Sequence, residues 1–190
     1  MNGLNIGVLA IQGDVAENIM AEIKNPEQIA DLDGLIIPGG ESTVIGTLSL
    51  VNGSLKKIKE KIASGMPVFG ICAGLILLSK KAKDRVLGEM EQPLLDFLDI
   101  KIERNSFGRQ RDSFESEISM EKIGIPKFHG VFIRAPSIIE TGRNIEVISK
   151  FNEKIVAVKQ GKILGTSFHP ELTDDLSLHK YFVNLVKEKN

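Results

Sequence analysis

Gly70-Ile71-Cys72-Ala73-Gly74 sets a cysteine between two glycines where the short apolar run Met66 to Ile71 gives way to a stretch of helical character. A side chain on such a strand-to-helix turn is held in a strained backbone conformation. Glycines two residues to either side allow the strand and helix to approach closely enough to permit it. The following helix would turn unpaired N–H groups and its positive end toward the sulfur, favouring thiolate over thiol. A cysteine in an apolar run is also a common small core residue, so the motif alone leaves catalysis and packing open. Cys72 is the chain's single cysteine, which excludes an internal disulfide and fits a reducing compartment.

A cysteine nucleophile needs a base, and the chain has three histidines. His179 lies in an amphipathic terminal segment beside Lys180 and Tyr181 and reads as a solvated surface residue. His129 precedes a strand and is either structural or lines a groove. His169 closes the strand-like run Ile163 to Phe168 and is followed by Pro170-Glu171, so it falls where a mostly parallel sheet delivers residues to a ligand crevice. Glu171 is near enough along the chain to hold one imidazole nitrogen. Cys72, His169 and Glu171 then make a nucleophile, base and orienter set. His-Pro-Glu by itself is a polar turn; the cysteine turn gives it meaning.

Acyl transfer also needs donors for a tetrahedral oxyanion. The N–H of Ala73 is one, and Gly40 of Pro38-Gly39-Gly40-Glu41-Ser42 is the natural second. A diglycine turn could instead cradle phosphate, but the Lys-Ser/Thr ending of a P-loop is missing. Arg104-Asn105-Ser106-Phe107-Gly108-Arg109-Gln110-Arg111 and Phe132-Ile133-Arg134-Ala135-Pro136 bring arginines that can fork onto a carboxylate. A substrate with an α-carboxylate, an α-ammonium and a carboxamide would be met by Arg104 or Arg134, by Glu41, and by the Gly40 and Ala73 donors. Neither Cys-x-x-Cys nor His-Glu-x-x-His occurs, so no metal site is expected, and no cofactor.

The elements that must position these residues alternate in the first half. Asn5 to Ala10, Gly34 to Pro38 and Met66 to Ile71 read as buried parallel strands. Val15 to Lys24, a segment beginning near Ser42 or Thr43, Ser54 to Ser64 and Leu75 to Lys81 read as helices. Residues 82 to 99 carry no clear pattern. Beyond Ile100 come shorter strand-like pieces, at Ile100 to Glu103, Ser113 to Ile118, Gly130 to Arg134, Glu146 to Phe151, Ile155 to Gln160 and Ile163 to Phe168, and Leu176 to Lys189 closes as a helix. The expected fold is α/β, with a mostly parallel central sheet to which the second half adds antiparallel strands, or a flanking sheet.

A length of 190 residues without a linker or repeat suits one domain over 1–190. The net charge of -1 offers nothing for electrostatic capture of nucleic acid or an anionic membrane. No apolar run is long enough to span a bilayer, and the opening residues lack a secretory leader, so a cytoplasmic protein is expected.

Taken together, Leu9-Ala10-Ile11-Gln12-Gly13-Asp14, Ile37-Pro38-Gly39-Gly40-Glu41-Ser42-Thr43, Cys72-Ala73-Gly74-Leu75, the Arg104 to Gln110 and Phe132 to Pro136 motifs, and Phe168-His169-Pro170-Glu171-Leu172-Thr173 resemble the glutaminase subunits of pyridoxal 5'-phosphate synthase, a branch of the class I glutamine amidotransferases. The resemblance runs from about residue 4 to residue 186. It implies a flavodoxin-like three-layer α/β/α fold and hydrolysis of L-glutamine through a glutamyl thioester on Cys72. It also implies delivery of ammonia to a separate synthase (lyase) subunit that builds pyridoxal 5'-phosphate. By the same resemblance Gly40, Glu41, Ser42, Arg104, Ile133 and Arg134 contact glutamine, and Gln12 and Asp14 are candidates for the interface with the synthase subunit.

Two departures stand out: the link between the first helix and Pro26-Glu27 looks too short for the strand the family places there, which implies a lost or reshaped sheet edge, and Asn18 stands where histidine is usual. Two rival functions remain, a cysteine peptidase or general thiol hydrolase on the same turn, and a non-catalytic binding subunit in which Cys72 is merely buried.

Overall fold

The computed structural model describes residues 4–12, 21–107 and 113–188. In chain order it contains β1 (Ile6–Leu9), β2 (Ala21–Ile23), β3 (Gly34–Ile37), α1 (Ser42–Val51), α2 (Ser54–Ala63), β4 (Val68–Ile71) and α3 (Ala73–Leu78). Then follow β5 (Ser79–Asp84), β6 (Gly88–Glu89), β7 (Leu98–Arg104), β8 (Phe114–Met120), β9 (Ile125–Phe132), β10 (Ser137–Thr141), β11 (Glu146–Phe151), β12 (Lys154–Gln160), β13 (Ile163–Thr166) and α4 (Ser177–Lys187).

Every residue of β1, β3, β4 and β13 is buried, as the unbroken apolar runs require of strands covered on both faces. They pair in parallel in the order β2-β1-β3-β4-β13, and β12, β10, β7, β5 and β6 continue the same sheet. The continuation is antiparallel except for the β5–β7 pair. β11 pairs with β12, and β8 and β9 form a separate antiparallel ribbon. The second half therefore does both things expected of it.

Successive strand residues serve opposite faces. Leu35, Ile37, Val68 and Ile163 pack with Ile45 of α1, Ile58 of α2 and the apolar side of α3. Ile36, Phe69, Ile71 and Leu164 pack with Leu178 and Phe182 of α4 and with Ile118 and Phe128 of the ribbon. Helices on one side, sheet in the middle, and helix plus ribbon on the other give the flavodoxin-like three-layer arrangement.

Three expectations are corrected. Of the helix expected over Val15 to Lys24, residues 15–20, with Asn18, lie outside the described residues, and Ala21–Ile23 is a strand. Ile23 packs as a buried strand residue beside Gly7, where a Cβ would come within 2.5 Å of Ile23 Cγ1. The sheet edge, expected to be lost or reshaped, is thus present as a strand of three residues. Helix α3 stops at Leu78 instead of running to Lys81, because Ser79 turns to extended backbone and its Oγ donates to the Ile76 carbonyl at 2.7 Å. From Ser79 onward the chain pairs with β7. The strand expected over Gly130 to Arg134 is instead Ile125–Phe132, so Arg134 lies beyond it with a left-handed φ of 46°.

Candidate active site

Cys72 and His169, far apart in sequence, are delivered together by one strand pairing. β13 lies beside β4 in parallel with Thr166 opposite Ile71, and the Cys72 N–H donates to the Thr166 carbonyl at 2.8 Å. On the other side of β4, β3 places Ile37 opposite Gly70, so the turn Pro38-Gly39-Gly40 leaves the sheet at the same end. Ligand crevices form at such carboxyl ends.

Cys72 takes φ 48° and ψ −98°, a conformation that costs about 1–3 kcal/mol for a residue with a side chain. Its neighbours are glycines for a steric reason. A Cβ on Gly70 would meet the Gly74 carbonyl oxygen at 2.7 Å, and one on Gly74 would lie 2.0 Å from the Ile37 carbonyl oxygen. The Cys72 thiol and the His169 imidazole line one cavity, and Cys72 acts electrostatically on the ring. His169 Nδ1 is 2.8 Å from Glu171 Oε1, and both side chains are almost wholly buried. Pro170–Leu172 forms a single 3-10 turn that sets this spacing, and the His169 N–H donates to the Val131 carbonyl at 2.8 Å, fastening the turn to β9. Cys72 Sγ lies 4.0 Å from the Ile133 carbonyl oxygen.

A cavity of about 280 Å³ opens on Cys72 and His169 and is lined also by Gly40, Glu41, Ser42 and Arg104, with Gln12, Ile133 and Arg134 contributing to its wall. Arg104, at the end of β7, donates from Nη2 to Glu41 Oε1 at 2.6 Å. Glu41 also caps α1, accepting from the Val44 N–H at 2.7 Å. Burial opposes its ionisation, but the Val44 and Thr43 amides and the Arg104 charge together hold its carboxyl below the usual range. Ala73 is the first residue of α3, where helix geometry leaves the N–H without an intrahelical acceptor. Among the described residues no group of three or more His, Cys, Asp or Glu is placed to hold a metal ion.

Gln12 is exposed, and its side-chain carbonyl accepts from the Glu41 N–H at 2.9 Å, tying the loop after β1 to the glycine turn. Asp14 lies outside the described residues, as do Gly108 to Arg111. His129 sits within β9, exposed, 2.7 Å from Glu115 Oε2 across the ribbon, and takes no part in the cavity. His179 is not a solvated surface residue. It is half-buried with its ring edge-on to Phe69 at 6.2 Å, and burial lowers its pKa against the opposing pull of Glu171. Sequence reasoning passed over Gln92, which contacts Ser42, Thr43 and Arg104. It lies in the patternless stretch before β7, and no local signal marks it.

For His169, burial pulls the pKa down, but its interactions with Cys72 and with the Glu171 carboxylate raise it from 6.5 to about 10. A raised value means the protonated ring stabilises the fold fully below its ordinary pKa and ceases to do so as pH rises through the folded value. The window is therefore from about 6.5 to about 10. Ring nitrogen NMR shifts are expected to report an imidazolium at neutral pH, with Glu171→Gln and Cys72→Ala each moving its titration downward. A neutral ring at pH 7 in the unsubstituted protein would contradict this.

A family model described as the SNO glutamine amidotransferase family matches residues 8–188. A relative from Nitrosopumilus maritimus described as pyridoxal 5'-phosphate synthase subunit PdxT is 64% identical, covering 96% of this chain and 97% of its own length. The protein of the same description from Thermotoga maritima is 45% identical over 97% of this chain and all of its own. A crystal structure described as a glutamine amidotransferase superposes with a TM-score of 0.87 at 41% identity, covering 96% of this chain and 99% of that one.

Proposed function

The chain belongs to the SNO glutamine amidotransferase family, and from that membership we propose that it is the glutaminase subunit of a pyridoxal 5'-phosphate synthase, releasing ammonia from L-glutamine for a separate synthase subunit. The observation that carries the reading is the meeting of Cys72 with His169, itself hydrogen-bonded to the buried Glu171, in one cavity that also holds Arg104 and Glu41.

In this reading Arg104 holds the α-carboxylate of glutamine and Glu41 its α-ammonium, while the Ser42 and Ile133 segments flank the side chain and direct the carboxamide to Cys72. The Cys72 thiolate, with the protonated ring of His169 beside it, attacks the amide carbon. The oxyanion is met by the N–H groups of Gly40 and Ala73. His169 gives its proton to the departing nitrogen, ammonia leaves, and a γ-glutamyl thioester remains on Cys72. Water, deprotonated by His169, then attacks the thioester and frees glutamate, restoring the thiolate and the protonated ring. Glu171 keeps the ring in one tautomer and stabilises its charged form.

Gln12 gives the synthase subunit a handle. Docking against the loop after β1 would act, through the Glu41 N–H, on the glycine turn that supplies an oxyanion donor. Unproductive hydrolysis is avoided if that donor is properly aimed only in the complex.

The test is ammonia release from L-glutamine with and without the synthase subunit, alongside peptide and ester substrates. Glutamine turnover that depends on the partner is expected, and turnover of peptides or esters with no preference for glutamine would overturn the reading.

A further inference from the structure

Gln92 belongs to no motif, yet the polar contacts of the cavity wall converge on it. Its segment is fixed on both sides: the Met90 N–H donates to Ala82 O at 3.1 Å, Leu95 N–H to Leu77 O at 2.6 Å, and Phe97 N–H to Leu78 O at 3.0 Å. Pro93 abuts α1 so closely that a Cβ on Gly46 would lie 2.9 Å from the Pro93 carbonyl oxygen. From this mount Gln92 Oε1 accepts from Arg104 Nη1 at 3.2 Å, from Thr43 Oγ1 at 3.1 Å and from Ser42 Oγ at 3.3 Å. Arg104 Nη1 also donates to Thr43 Oγ1 at 3.1 Å, and Nη2 to Glu41 Oε1.

The orientation of the amide follows from chemistry. A guanidinium can only donate, so the group facing Arg104 must be the oxygen. Gln92 Nε2 is buried and has no partner among the described residues. A glutamine kept only for scaffolding would be expected to satisfy both ends; this one hydrogen-bonds its neighbours through the oxygen alone. That oxygen is an acceptor without charge. It can aim the guanidinium without neutralising it, whereas Glu41 already offsets part of the positive charge that an incoming carboxylate must use.

We propose that Gln92 is the positioning residue that sets this site's selectivity for a free α-amino acid, holding Arg104 and the start of α1 at the spacing that grips an α-carboxylate and an α-ammonium together, through a neutral acceptor that leaves Arg104 charged. The inference rests on the glutaminase reading of the cavity and adds to it the residue that presets its two charged groups.

Steady-state glutamine hydrolysis by the full chain with its synthase subunit, for the unsubstituted protein, Gln92→Leu and Gln92→Glu, separates the alternatives. Iodoacetamide alkylation of Cys72 and thermal melting are measured on each as controls. Leucine removes the acceptor, and glutamate keeps an acceptor but adds a charge that competes with the substrate carboxylate. Both variants are expected to raise KM for L-glutamine by about tenfold, equivalent to about 1.4 kcal/mol, with kcat and the alkylation rate within about twofold of the unsubstituted values, the pattern of lost substrate binding with intact chemistry.

Recovery of the ordinary KM in Gln92→Glu would overturn the proposal, because an acceptor of any charge would then suffice. An equal fall of kcat and alkylation in both variants would overturn it too, as a general collapse of the site. If the unsubstituted complex hydrolyses no glutamine, the glutaminase reading fails and this inference falls with it. Activity in that complex with no change of KM in either variant defeats the Gln92 role alone.

Discussion

Alanine at position 72 is expected to lower glutamine hydrolysis by the complex by about 10⁴-fold or more, the scale on which losing a nucleophile is felt when it works as a unit with its base. The fold should survive, because Cys72 packs as a small buried side chain and alanine keeps the Cβ that its left-handed backbone already tolerates. The cavity groups Arg104 and Glu41 are untouched, so glutamine should still bind. Binding retained and turnover lost, read by calorimetry and ammonia release on the same preparation, is the expected outcome. Residual turnover within tenfold of the unsubstituted complex would remove Cys72 from the chemistry.

Gly74→Ala is expected to act through the backbone and to do more damage to the fold than any polar substitution in the cavity. The added Cβ would stand 2.0 Å from the Ile37 carbonyl oxygen and 2.8 Å from its carbonyl carbon, main-chain atoms of a central strand that cannot swing aside. Forcing a methyl group into a filled core costs about 1–3 kcal/mol and occasionally more; with a main-chain obstruction the upper end, about 3 kcal/mol, is expected. For a chain of this size that is a fall of about 6–12 °C in the melting midpoint. Because Ile37 leads into Pro38-Gly39-Gly40, whatever relief the strand finds moves Gly40, the proposed oxyanion donor, so activity should fall in the fraction that remains folded. A melting temperature within 2 °C of the unsubstituted protein would show that the glycine is not required by that contact.

The sequence made legible what depends on neighbours along the chain. Interior strands such as Val68–Ile71 and Ile163–Thr166 are unbroken apolar runs because both of their faces are covered. The turn at Cys72 announces itself because steric necessity leaves only glycine at 70 and 74. What stayed hidden depends on partners remote in sequence. Ala21–Ile23 is too short to carry a period of its own and is a strand only because β1 lies beside it. His179 looked exposed from its neighbours Lys180 and Tyr181, but its environment is set by Phe69 on a strand from the other half of the chain. Gln92 sits in a stretch without pattern because its work is done on side chains from α1 and β7.

The lateral pairing of β4 with β13 has a consequence for biosynthesis. Cys72 and His169, the proposed nucleophile and base, follow neighbouring strands separated by about half of the polypeptide, and a contact spanning so much chain forms late. As the chain leaves the ribosome from its amino end, the Cys72 sulfur emerges long before the imidazole that the proposed mechanism pairs with it. Competence therefore arrives at the close of folding, when the last strand slots in between β4 and β12. Until then, on the proposed mechanism, a nascent or truncated subunit would carry its sulfur unprimed, and half-made copies would spend no glutamine.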